Sequence, residues 1–130
     1  MSDPQTIPQT GTFCHVEIPA ADTEASKKFY GDVFGWQFQD IPEMDYTVYT
    51  TRDGAIGGGM MKKCDEYPQQ MVNYIACEDI PGTLDKIKAG GGAVIHEEMP
   101  VGEMGWMAWA SDPDGNVFAL WKNNPNMPCS

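Results

Sequence analysis

The sequence predicts an α+β fold built from two tandem βαβββ modules. A strand, a helix and three further strands occur twice along the 130 residues, and each helix is followed by glycine. An Asp-Gly turn precedes the last strand of both copies, at Asp53-Gly54 and at Asp114-Gly115. A repeat of about 55 to 60 residues, present only twice, is too long and too few for a solenoid. We therefore expect two packed modules with a shared cleft.

The opening strand carries apolar side chains on one face and polar, reactive ones on the other, because successive residues of a strand alternate in direction. The apolar face holds Cys14, Val16 and Ile18, and the open face holds Phe13, His15 and Glu17. Proline is expected to end this strand at Pro19.

A helix is predicted over 23–34, with Asp22 as its N-cap and Gly35 as its end. Its apolar residues recur at helical spacing, at Ala25, Phe29, Tyr30, Val33 and Phe34. We expect this stripe to cover the apolar face of the opening strand and to leave His15 and Glu17 open.

The remaining elements follow the same order in both copies. The first module, 13–63, continues with strands over 36–40, 46–51 and 56–63, separated by turns at 41–43 and 52–54. After a loop through Asp65, Glu66 and Pro68, the second module, 72–122, has a strand over 72–77, a helix over 81–89 ended by Gly90-Gly91-Gly92, and strands over 93–98, 106–111 and 117–122. Flexible segments are predicted at 1–12 and 123–130.

Charge and composition exclude several functions. With a formal net charge of −11 and only eight Lys and Arg residues, the chain is a poor partner for nucleic acid and suits a neutral or cationic small molecule better. No apolar run is long enough to span a membrane, and the polar start does not resemble a signal peptide, so we expect a cytoplasmic protein. Cysteine occurs without Cys-x-x-Cys spacing, which favours free thiols over disulfides or metal ligation, at Cys14, Cys64, Cys77 and Cys129.

Several motifs together resemble one known superfamily. They are His15-Val16-Glu17-Ile18-Pro19, Asp22 followed by Phe29-Tyr30 and Phe34-Gly35-Trp36, then Ala89-Gly90-Gly91-Gly92, and Asp112-Pro113-Asp114-Gly115-Asn116. From about Phe13 to Lys122 the chain resembles the vicinal oxygen chelate superfamily, which includes glyoxalase I, extradiol dioxygenases and bleomycin-resistance proteins. The resemblance implies a curved, cup-shaped mixed sheet with helices on its outer face, usually completed by a homodimer.

In metal-dependent members, the first and last strands of each module each supply one ligand. The resemblance places these positions at His15, Gly58, Asn73 and Ala119, of which only His15 is a good ligand. Because a catalytic divalent ion needs about three protein ligands, we expect no metal cofactor. The alternative is a divalent metal for which Glu17 or Glu78 substitutes from a neighbouring position.

Small residues at those positions leave volume that aromatic side chains can enclose. The predicted ligand-binding pocket consists of His15, Tyr49, Gly58, Met60, Asn73, Trp106, Ala119 and Trp121, with Trp109 and Met107 as further candidates. The competing interpretation assigns most of these aromatic residues to the core or a dimer interface. His15 is a candidate general base oriented by Glu17, or else a histidine of the pocket wall.

The sequence therefore favours a homodimeric small-molecule-binding protein for an aromatic or cationic ligand, with sequestration as in the bleomycin-resistance branch. The alternative is a metal-dependent lyase, isomerase or dioxygenase of the glyoxalase I type, using His15 with Glu17 or Glu78. A third hypothesis is a structural or regulatory domain without a small ligand. The second histidine, His96, lacks the His-Glu-x-x-His spacing of a zinc helix and is predicted to lie on the surface.

Overall fold

The computed structural model describes residues 10–42, 45–63 and 70–125, and both predicted βαβββ modules are present in them. The first module contains β1 Phe13–Ala20, α1 Thr23–Phe34, β2 Gln37–Ile41, β3 Tyr46–Thr50 and β4 Gly58–Lys62. The second contains β5 Val72–Ala76, α2 Ile80–Ala89, β6 Ala93–Val101, β7 Gly105–Ser111 and β8 Val117–Asn123. The α+β class is confirmed. Cys64, Cys129, Glu43 and the loop residues Asp65, Glu66 and Pro68 lie outside the described residues.

The chain divides into two compact units, unit 1 over 15–72 and unit 2 over 73–125 together with 10–14. The segment before His15 belongs to unit 2 because it is hydrogen-bonded to β5. The Gly11 amide donates to the Ala76 carbonyl at 2.8 Å, and the Ala76 amide donates to the Thr12 carbonyl at 2.9 Å. The predicted flexible segment 1–12 therefore differs from the structure at its last residues.

Unit 1 is a four-stranded mixed sheet with α1 on one face. The strand order is β2-β3-β4-β1, with β1 and β4 parallel and the other pairs antiparallel. Both predicted helix ends are confirmed: the Asp22 carboxylate accepts from the amides of Glu24 and Ala25, and Gly35 adopts φ 76°. This φ lies in the left-handed region, which favours glycine at a helix end.

Helix α1 packs on the predicted sheet face, that of Val16 and Ile18, but not through the predicted side chains. The side of the helix that meets the sheet carries Lys27, whose Nζ lies 3.1 Å from Asp40 Oδ1, and Tyr30, which stacks on Trp36 with centroids 4.7 Å apart. The predicted apolar stripe is largely exposed, with Phe29 at 55%, Val33 at 55% and Phe34 at 60%. The prediction was wrong because helical spacing identifies an apolar stripe without showing what covers it.

Unit 2 repeats this architecture with the order β5-β8-β7-β6, in which β5 and β8 are parallel. Asp79 caps α2 by accepting from the Gly82 amide at 3.1 Å. One sheet face packs against α2 through a core of buried residues, namely Cys77, Ile80, Leu84, Ala108, Ala110 and Leu120. Among the residues that the structure describes, neither helix is long and apolar enough to cross a bilayer.

Two strands run further than predicted. Strand β1 continues through Pro19, which pairs with Met61, and the Lys63 amide donates to the Ala20 carbonyl at 2.9 Å. Strand β6 continues to Val101, and its pairing with β7 shifts register twice on the way. Such register shifts are β-bulges, in which extra residues are accommodated without ending the strand. The strand therefore continues past residue 98, and the loop predicted at 100–103 begins later.

Candidate functional site

Three polar side chains of unit 1 form a hydrogen-bonded network on the sheet face away from α1. Tyr46 Oη lies 2.8 Å from His15 Nε2 and donates to Glu17 Oε2 at 2.7 Å. Alternation along β1 places His15 and Glu17 on the same face, and the Tyr46 side chain reaches them across β4. We refer to His15, Tyr46 and Glu17 as the polar network.

Glycine in the middle strand makes room for this network. Gly59 lies opposite Glu17 on one side and Val48 on the other. A Cβ atom at position 59 would overlap the Tyr46 hydroxyl. Tyr46 therefore reaches His15 and Glu17 only because residue 59 has no side chain.

Burial controls the charge of the histidine. It lowers the pKa of His15 from 6.5 to about 4, because an imidazolium loses hydration in this environment. The ring is therefore neutral at pH 7, with one N–H donor and one acceptor nitrogen. Glu17 is itself only 8% exposed, and its carboxylate is satisfied in part by the Tyr46 hydroxyl.

The strand register corrects two of the predicted ligand positions. Gly58 lies opposite Val16, so it shares the α1 face of the sheet and not the face of His15. In unit 2 Ala119 lies opposite Tyr74, which puts Asn73 on the other face, where it is exposed. Counting residues from the Asp53-Gly54 turn missed the face by one residue in unit 1, and aligning the two copies missed it by one residue at Asn73 in unit 2.

A divalent metal does not fit the residues that the structure describes in either unit. On the face of His15, β4 presents Gly59 and Met61, and neither offers an oxygen or nitrogen side-chain donor. His15 Nε2 and Glu17 already share the hydroxyl of Tyr46. Across 10–42, 45–63 and 70–125, no three His, Cys, Asp or Glu side chains lie close enough together to hold an ion.

Unit 2 carries an open depression of about 160 Å³ at the ends of β5 and β8. Its lining residues are Thr10, Ala76, Cys77, Glu78, Trp121, Lys122, Asn123 and Pro125. The indole N–H of Trp121 donates to the side-chain oxygen of Asn123, which holds the ring in one orientation. Trp121 thus forms an aromatic wall of the depression, and Glu78 and Lys122 belong to the same lining.

The remaining predicted pocket residues are buried in the two units, apart from Trp106, which is partly buried. Tyr49 and Met60 are 3% and 0% exposed on the α1 face, where Tyr49 stacks on Trp36 with centroids 4.6 Å apart. Trp106 packs against the α2 core, and Ala119 is fully buried between strand neighbours. Of the predicted pocket, Trp121 lines the depression and His15 lies in the polar network.

Sequence reasoning missed Tyr46 altogether. An alternating strand over 46–51 was predicted, but nothing in the sequence marked its first tyrosine as different from the others. The Gly57-Gly58-Gly59 run was the available signal, since glycine inside a strand often marks close approach by another group.

Known proteins share both the sequence pattern and the fold. Residues 12–51 match a family model described as bleomycin resistance protein-like N-terminal. A Vibrio parahaemolyticus protein described as a probable lactoylglutathione lyase is 31% identical over 127 residues, covering 87% of this chain and 91% of its own. The Mycobacterium tuberculosis protein CFP32, provisionally named a glyoxylase, is 32% identical over 121 residues, covering 88% of this chain.

The chain spans only 46% of the length of CFP32, about half of that relative. Among solved structures, the methylmalonyl-CoA epimerase of Mycobacterium tuberculosis is similar with a TM-score of 0.64 and 13% identity. That similarity covers 92% of this chain and 94% of the epimerase, and it shows the shared fold alone.

Proposed function

Because the chain belongs to the vicinal oxygen chelate superfamily, we propose that it binds a small organic molecule through one aromatic or cationic ring, without a metal. The observation that carries this proposal is the Trp121 wall of the depression in unit 2, which Asn123 holds in place. An oriented indole gives a planar ligand a face to stack on at little entropic cost.

The volume of the depression limits the size of the ligand group that can enter it. A cavity of roughly 150 Å³ holds a benzene molecule, so about 160 Å³ accommodates one ring. Whole ligand pockets usually measure about 300 Å³ or more, which means that the rest of a larger ligand extends out of the depression. Glu78 and Lys122 carry opposite charges in the lining. The preference for a cation over an anion therefore comes from the net charge of −11.

Calorimetric titration with benzylamine and with benzoate tests this proposal. Benzylamine should bind and benzoate should bind more weakly, because only benzylamine complements the acidic protein. Trp121→Leu should weaken benzylamine binding roughly tenfold, as expected when an aromatic stacking partner is lost. The matched control is Trp36→Leu, since Trp36 lies in unit 1, where it stacks on Tyr30 and Tyr49, and does not line the depression. Equal affinities in wild type and Trp121→Leu, or no benzylamine binding, would count against the proposal.

The polar network supports a second candidate function, proton transfer at His15 in a lyase or isomerase. Its hydrogen-bonded imidazole is neutral near pH 7, which is the protonation state of a general base, and its pKa of about 4 makes it a weak one. The similarity to the Vibrio parahaemolyticus protein described as a probable lactoylglutathione lyase favours the same class of reaction.

Metal dependence separates the two candidates. After treatment with chelator, we expect the affinity for benzylamine to stay unchanged. We also expect Zn²⁺, Ni²⁺, Mn²⁺ and Fe²⁺ to bind so weakly that less than one ion per chain remains bound after desalting. Elemental analysis and an assay for lactoylglutathione measure this directly. One tightly held ion per chain that restores turnover would put the metal-dependent lyase first.

The homodimer and the cytoplasmic location stay predictions. Exposed large apolar side chains are typical of interaction surfaces, and α1 presents Phe29, Val33 and Phe34 in this way. This supports self-association, which sedimentation equilibrium measures.

A further inference from the structure

We propose that the depression in unit 2 binds an aromatic α-amino acid, whose ring stacks on Trp121 and whose ammonium and carboxylate groups meet Glu78 and Lys122. The inference rests on the proposed function, since it names the class of molecule that the same depression binds. It adds to ring stacking the recognition of two opposite charges on one ligand.

Two contacts orient the indole of Trp121 for the ligand ring. Its N–H donates to the side-chain oxygen of Asn123. A Cβ atom at position 105 would lie 2.9 Å from Trp121 Cζ2, so the indole rests against a glycine of the neighbouring strand β7. Ala76, which pairs with Trp121, adds only a methyl group to the lining. The ligand ring therefore meets an oriented aromatic face with little side-chain volume beside it.

The two charged side chains of the lining lie at the same end of the sheet. Glu78 follows the end of β5 by two residues, and Lys122 follows Trp121 in β8, which runs parallel to β5. Neighbouring strands are about 4.8 Å apart, so one amino acid headgroup can reach both side chains. Glu78 is exposed and Lys122 is half-buried, which suits a headgroup at the rim and a ring inside.

Both charges are available to a ligand. Among the residues that the structure describes, no ion pair joins Glu78 to Lys122. Lys122 Nζ lies 5.7 Å from the centroid of the Trp106 ring, which is a cation–π distance. An indole face accepts no ordinary hydrogen bond, so the three N–H donors of the ammonium can bind a ligand carboxylate.

The charge of the whole protein favours a ligand that is neutral overall to one that is an anion. The net charge of −11 repels an anionic ligand such as benzoate. An α-amino acid carries one positive and one negative group near pH 7. It therefore avoids this repulsion, and its carboxylate still pairs with Lys122.

Three ligands with the same ring test this inference by calorimetric titration at pH 7 and low ionic strength. L-Phenylalanine carries both charged groups, phenethylamine lacks the carboxylate, and 3-phenylpropionate lacks the ammonium. We expect phenylalanine to bind about threefold more tightly than phenethylamine, which is the gain that one exposed ion pair provides. Binding of 3-phenylpropionate should be the weakest, because the acidic protein repels it.

Charge-removing variants test each contact separately. Lys88→Met and Glu97→Gln are the matched controls, because they change the net charge at residues that do not line the depression, and they should keep the wild-type order of affinities. Relative to Lys88→Met, Lys122→Met should lose the advantage of phenylalanine over phenethylamine. Relative to Glu97→Gln, Glu78→Gln should bind phenylalanine and phenethylamine about threefold more weakly and 3-phenylpropionate equally well.

The outcomes separate this inference from the proposed function. If phenethylamine binding depends on Trp121 but phenylalanine binds no more tightly, the inference is wrong and the proposed function stands. A threefold advantage of phenylalanine that persists in Lys122→Met would also overturn the inference, since Lys122 would not hold the carboxylate. If none of the three ligands binds, or if Trp121→Leu binds all three as the wild type does, both fail.

Discussion

Gly58→Ala is expected to disrupt the pairing of β1 with β4 and to lower the free energy of unfolding by about 3 kcal/mol. A Cβ at position 58 would overlap the carbonyl oxygen of Val16, and it would lie 2.7 Å from Tyr49 Oη. The Val16 carbonyl belongs to the backbone of the paired strand and cannot rotate away. Its hydrogen bond from the Tyr49 hydroxyl, 2.8 Å long, would be lost with the displacement.

Urea unfolding followed by circular dichroism measures this effect. Gly31→Ala provides the control, because the new methyl group in α1 lies 3.5 Å from Phe38 Cε2. That variant should be as stable as the wild type or more stable by up to about 1 kcal/mol, since alanine favours the helix. If Gly58→Ala unfolds at the wild-type urea concentration, the register of Val16 opposite Gly58 is wrong.

Local signals in the sequence predicted the helices and the order of elements well. The side chain of Asp22 and the left-handed φ of Gly35 act within one helical turn, so α1 is observed over Thr23–Phe34 as predicted. The two Asp-Gly turns and the repeated order identified the modules for the same reason.

Register and packing partners could not be predicted in this way. Val16 and Gly58 pair with each other although a helix and two strands separate them in the sequence. A register difference of one residue would move each side chain to the opposite face of the sheet. The sequence analysis therefore placed Gly58 in the pocket, whereas in the structure Gly58 allows the backbones of β1 and β4 to approach closely. Tyr46 was missed for a related reason, since its partners become apparent only when Gly59 is known to lie between β1 and β3.

Folding stability should fall as the pH is lowered from 6.5 to 4, with His15 contributing about 3 kcal/mol of the change. The pKa of His15 is about 4 in the folded protein and 6.5 in its unperturbed state. Between these values the unfolded chain binds a proton that the folded chain excludes, so acid favours unfolding. Each unit of pKa difference corresponds to about 1.4 kcal/mol. Below pH 4 both states are protonated and the contribution no longer changes.

Urea unfolding of wild type and His15→Gln at several pH values between 4 and 7 isolates the contribution of His15 to the free energy of unfolding. Glutamine keeps an amide group that can hydrogen-bond to Tyr46, and it does not titrate. Carboxylates such as Asp40, whose pKa is lowered by the Thr47 hydroxyl and by Lys27, contribute equally to both proteins and cancel in the difference. His96→Gln should follow the wild type, because His96 is exposed. Parallel pH profiles for wild type and His15→Gln would contradict this prediction, because they would show that His15 is hydrated and titrates normally. In mild acid His15 would then be protonated, and the neutral imidazole that proton transfer requires would be absent.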